Sequence, residues 1–98
     1  MGIRVDATPE PVRVGQVMLL TFVLPSAYGK GFQPIDIKHV TIGKVVQKTE
    51  GEGETLKIVN TFGHITGFTR IDGEVAVLVK WDNRPDSVSE RTKFLVLL

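Results

Sequence analysis

Two histidines, three serines, eleven carboxylates and no cysteine are the groups this 98-residue sequence offers for nucleophilic and acid–base chemistry. Ser26, Ser87 and Ser89 fall in predicted loops, and none sits in a Gly-x-Ser-x-Gly elbow. A Ser/His/Asp site would therefore have to assemble from unmarked positions. His39 and His64 do not form the closely spaced pair, with a third ligand nearby, that a zinc site uses. Asp82, Asn83, Asp86 and Glu90 lack the alternating oxygen ligands and the turn glycine of a calcium loop. Gly29-Lys30 and Gly43-Lys44 have neither the upstream glycine spacing of a phosphate-binding loop nor a helix after them to present its amides. Glu50, Glu52 and Glu54 lie on a glycine-spaced tip where nothing fixes their geometry for acid and base work. The expectation is a protein that is not an enzyme, with no catalytic residue, no metal site and no cofactor.

Side chains that could bind are easier to find. Tyr28 and Phe32 flank Lys30 inside the ten-residue, proline-bounded segment Pro25–Pro34. Two aromatics around a cation on an adaptable glycine-rich backbone could stack on bases or insert into a protein groove. The competing reading has one or both rings folding back to cap the end of the domain. His64 and Trp81 complete the candidate set, Tyr28, Lys30, Phe32, His64 and Trp81, because the hairpin derived below sets them opposite one another.

The elements that must position these residues are strands. Ten glycines and five prolines cut the chain into short β-branched stretches, and no window of eleven or more residues has helical periodicity. Ile3, Val5 and Ala7 alternate with polar residues before Pro9 and Pro11, as in an edge strand. Val12 to Leu24 is the strongest strand pattern, apolar on both faces in its second half. Ile35 to Lys48 resumes it with a break near Gly43, and Glu50–Glu54 reads as a solvated hairpin tip. Asp72-Gly73 supplies the positive φ angles of a two-residue type I′ turn. With Ile71 opposite Glu74, one face pairs Arg70 with Val75, Phe68 with Val77, Thr66 with Val79 and His64 with Trp81, and that face should be the core. Asp82–Arg91 reads as a polar loop and Thr92–Leu98 as a last strand.

One domain spanning residues 1–98 follows from the length, and 42% hydrophobic residues suffice for one core. The net charge of +1 argues against a dedicated nucleic-acid or membrane-surface protein. The longest apolar run, Val17–Leu24, contains Thr21 and falls far short of the ~20 residues of a membrane helix. Residues 1–49 carry six Lys/Arg (Arg4, Arg13, Lys30, Lys38, Lys44, Lys48) against three acids (Asp6, Glu10, Asp36), so a locally basic half stays open. The expected partner is a protein, with nucleic acid as the alternative, no membrane, and a homo-oligomer left open. The N-terminus lacks the basic start and apolar stretch of a signal peptide, so the expectation is a cytoplasmic location or a fragment excised from a longer chain.

Phe62-Gly63-His64-Ile65-Thr66-Gly67-Phe68, followed by Gly73-Glu74-Val75-Ala76-Val77-Leu78-Val79-Lys80-Trp81-Asp82 and a closing Lys93–Leu98, resembles small barrels of the Tudor, KOW and Src-homology-3-like kind. The likeness covers about residues 62–98. It implies an all-β, SH3-like barrel of five to seven mostly antiparallel strands, serving as a binding module for proteins or nucleic acid through aromatics at one end. A recognisable aromatic cage for methylated ligands is missing. A second stretch, Pro11-Val12-Arg13-Val14-Gly15-Gln16-Val17, resembles the opening of bacterial immunoglobulin-like modules and implies a β-sandwich instead. The functional expectation is a non-enzymatic module for protein–protein interaction or assembly. A nucleic-acid-binding small barrel is the alternative, and an enzyme with an unmarked site the remote one.

Overall fold

The computed structural model describes residues 17–25 and 31–98 with their side chains, and residues 12–14 as backbone. Tyr28, Lys30 and the expected edge strand Ile3–Ala7 lie outside the described residues. The chain is all-β: β1 (Val12–Val14), β2 (Val17–Val23), β3 (Phe32–Asp36), β4 (Val45–Glu50), β5 (Lys57–Ile71), β6 (Glu74–Trp81), β7 (Ser87–Glu90) and β8 (Leu95–Leu97). Single 3-10 turns at Ile37–His39, Gly53–Thr55 and Thr92–Phe94 are the only helical geometry among the described residues. No helix there is long and apolar enough to cross a membrane.

The strands form one eight-stranded sheet. β2 pairs with β3 along one edge, from Leu19↔Asp36 to Val23↔Phe32. Its other edge takes β1 at Val17–Leu19 and β8, in parallel, at Val23↔Val96. From β8 the order runs on antiparallel through β4, β5 and β6 to β7. Among the described residues neither β1 nor β3, the strands at the β2 end, pairs with β7 at the other end, so the sheet is open where a barrel would be closed.

One core cluster contains Leu20 and Phe22 of β2, Val46 of β4, Ile65 of β5, Val77, Val79 and Trp81 of β6, Leu95 of β8, and Val40. A flat sheet would hold β2 and β6, four strand spacings apart on this path, about 19 Å from one another. No helix or second sheet covers the cluster among the described residues, so the sheet's own curvature must bury it. A smaller cluster of Val23, Leu56 and Val96, with Ile58 and Phe94 against it, occupies the opposite face. Val23 and Phe22 are neighbours in one strand and point to opposite sides, which is why β2 is apolar on both.

Several local expectations meet the structure directly. Asp72 (φ 50°) and Gly73 (φ 83°) form the turn joining β5 and β6, and Ile71 faces Glu74. The break at Gly43 is real, with φ 96° between β3 and β4. The acidic tip is exposed, and Thr55 Oγ1 ties it together by accepting from Glu52 N and donating to Glu52 O. Other expectations need correction. Val12–Leu24 is two antiparallel strands, Gly15 dividing the β-branched run. The polar stretch Asp82–Arg91 contains β7, because Ser87-Val88-Ser89-Glu90 alternates and sets Val88 opposite buried Val79. In Thr92–Leu98 only Leu95–Leu97 is strand, preceded by the 3-10 turn.

Candidate binding face

The hairpin register holds from the turn as far as Gly67↔Leu78 and then slips. Ile65, and not Thr66, faces Val79, so β5 carries one extra residue at Thr66. A β-bulge reverses which side chains point inward on its far side. The expected pairing of His64 with Trp81 and Thr66 with Val79 is therefore wrong. Gly63 faces Trp81, His64 faces Lys80, and Ile65 is fully buried. Thr66 Oγ1 stabilises the bulge by donating to Leu78 O at 3.3 Å, and it lies 2.8 Å from Ser87 Oγ. Phe68 does face Val77, but so near the hairpin tip that it is 41% exposed and outside the core.

Directly paired residues share a face, so the register can be followed across the sheet. One row runs Val45, His64, Lys80, Ser87 over β4 to β7. Leu98 joins it beyond β8, its N–H donating to Val45 O at 2.9 Å one step past the Val46↔Leu97 pair. The next row on that face runs Phe32, Val23, Val96, Gln47, Phe62. Val23 and Val96 are covered by the smaller cluster. The flanks are not: Phe32 is 44%, Val45 43% and Leu98 48% exposed, while Phe62 and His64 are half-buried. Ile42, in the Thr41–Lys44 turn that leads into β4, is 65% exposed.

Of the five residues singled out from sequence, this face collects Phe32 and His64. Trp81 lies on the other face, 3% exposed, with Nε1 donating to Glu90 Oε2 at 2.9 Å. A buried indole whose one donor is satisfied is a core residue. Val45, Phe62, Leu98 and Ile42 went unnoticed. The apolar doublets Val45-Val46 and Leu97-Leu98 were the available hint, since a strand residue beside a core-facing one must face away from the core.

The cation of the Val45–Ser87 row, Lys80, donates from Nζ to Arg84 O at 3.0 Å. Gln47 Nε2 donates to Val59 O at 3.1 Å and holds β5 where its pairing with β4 shifts register. No group of three or more His, Asp or Glu side chains that could hold a metal ion is found among the described residues. Comparison with protein-family models, with curated proteins and with solved structures finds no match for this chain.

Proposed function

We propose that this domain is a non-enzymatic module that binds a protein partner through the sheet face carrying Phe32, Val45, Phe62, His64 and Leu98. The observation behind this reading is the exposure of three large apolar side chains, Phe32, Val45 and Leu98, in two register rows of the face opposite the main core. Apolar side chains grouped on one open face gain most from a partner that removes them from water. The small-barrel resemblance of residues 62–98 belongs to this proposal, as a curved sheet wrapped on one core that uses an outer surface for recognition. A nucleic-acid partner fits the face less well, because a phosphate backbone needs several convergent cations. The two rows carry one lysine, and it is engaged with a backbone carbonyl.

The test is affinity capture from a lysate of the source, comparing the wild-type domain with a Val45→Asp/Leu98→Asp variant checked for an unchanged thermal melt. The expected outcome is a protein retained by the wild type, insensitive to nuclease and moderate salt, and lost with the variant. Retention that nuclease abolishes, or that falls steeply with salt, would move the assignment to nucleic acid. Equal retention by both proteins would place the interaction elsewhere.

A further inference from the structure

The two ends of the open sheet differ in how they guard against strand addition. An unpaired edge offers a row of backbone donors and acceptors, and proteins usually blunt it with proline or charge. β3 is guarded: Pro34 lacks an N–H, and Asp36 with Lys38, 3.6 Å apart, closes its end. β7 reads Ser87-Val88-Ser89-Glu90, with neither proline nor lysine, and pairs with β6 alone among the described residues. Its acid is turned away from the edge, since Glu90 Oε2 accepts from Trp81 Nε1.

We propose that two copies of this chain associate by antiparallel pairing of β7 with β7 about a two-fold axis, continuing the sheet from one molecule into the next. The sequence of β7 selects the register. A two-fold axis normal to the sheet keeps inner residues opposite inner ones, so a single residue must lie on the axis. With Val88 there, Asp86 meets Glu90 of the second copy; with Glu90 there, Glu90 meets Glu90; and with Ser87 there, Ser89 falls opposite Pro85, which has no N–H to donate. Like charges directly opposite destabilise a pair. With Ser89 on the axis, Ser89 meets Ser89 of the second copy, Val88 meets Glu90 and Ser87 meets Arg91, and no like charges are opposed. Arg91 is already held by Asp72 and Glu74 at 2.5 and 3.3 Å, which fixes the end of the strand beside the edge. This surface is the sheet edge at which the row Val45, His64, Lys80, Ser87 ends, away from the exposed apolar residues of the face proposed to bind a partner, and a strand of four residues makes a weak, concentration-dependent dimer.

Sedimentation velocity over a dilution series up to millimolar protein tests it. The wild type should pass from monomer to dimer as concentration rises. Ser89→Lys and Ser89→Glu, which place two like charges on the axis, should each weaken association by at least about tenfold, and their equimolar mixture should recover it. Ser89 is exposed, so both variants should melt as the wild type does. Should either fail to fold, concentration-dependent amide shifts of the wild type decide, and they must centre on Ser87–Arg91. A wild type that stays monomeric at millimolar concentration overturns the proposal. So does undiminished dimerisation of the charged variants, or shifts centred on another strand.

Discussion

Gly63→Ala asks whether the bulged register is right, because only that register sets residue 63 against Trp81. A Cβ built at Gly63 lies 2.7 Å from the Lys80 carbonyl oxygen and 2.9 Å from both Trp81 Cε3 and Val79 Cγ1. None of the three can yield easily: the carbonyl belongs to the β5–β6 pairing, and Trp81 and Val79 are 3% and 0% exposed in the core. Overpacking a filled core costs about 1–3 kcal/mol, and contact with backbone belongs in the upper half of that range. At roughly 4–8 °C per kcal/mol for a domain of this size, a loss of about 2–3 kcal/mol lowers Tm by roughly 8–24 °C. Gly67→Ala is the matched control on the same strand. Its Cβ would meet only Leu78 Cδ1 at 3.3 Å, a methyl that can rotate aside. The reduced freedom of the unfolded chain, about 0.4–1 kcal/mol for Gly→Ala, should offset that contact. Thermal melts of the two variants by circular dichroism should separate widely. Indistinguishable melts would refute the register, since in unbulged pairing residue 63 faces away from the core.

Three further perturbations probe other parts of the structure. Gly73→Ala should cost about 1 kcal/mol or more from backbone strain alone, because φ is 83° there and nothing lies within 4 Å of the added Cβ, and a denaturant titration reads it directly. Trp81→Ala should cost roughly 3–5 kcal/mol and leave Glu90 without its indole donor; a variant that melts normally would place Trp81 on the surface. Deleting Thr66 removes the one extra residue and makes Gly67↔Leu78 and Ile65↔Val79 consecutive pairs, so Ile65 should stay buried, Gly63 should stay against Trp81, and the loss should be about 0.5–1.5 kcal/mol for the hydrogen bond from Thr66 to Leu78 O. Hydrogen exchange in β6 should keep its protection, and a sharp rise there would show that the pairing beyond Thr66 is not Ile65↔Val79.

The sequence made the strands and turns legible where local chemistry decides them. Asp72-Gly73 has few alternatives to a tight turn, and glycine and proline spacing excluded helices without reference to the fold. Register beyond the bulge was not legible, because Thr66 carries no mark that separates it from a regular strand residue. β7 was missed for a related reason: serine and glutamate suit a loop, and only pairing with β6 reveals that Val88 alternates inward. In the candidate site, Phe32 and His64 were found by type, but the face they share was not. That face depends on non-local pairs such as Val23↔Phe32 and Gln47↔Val96, which no window of sequence contains.

The bulge connects the fold to the binding proposal. Along β5, unbroken alternation from the turn would put Arg70, Phe68, Thr66 and His64 on the core side and leave Ile65 facing solvent. A polar hydroxyl and an imidazole would then be buried among Val77, Val79 and Trp81, where a polar group without a partner is costly. One inserted residue exchanges them for Ile65 and for Gly63, whose missing Cβ leaves the space that Trp81 occupies. Thr66 keeps hydrogen-bonding groups within reach, Leu78 O and Ser87 Oγ, so the interruption leaves its own hydroxyl satisfied. The same exchange delivers His64 to the outer face, in line with Val45 and Lys80 and one row from Phe62. Core packing and the composition of the exposed face therefore depend together on one extra residue in β5, and a variant that pairs the full-length strand without the bulge should alter binding and stability together.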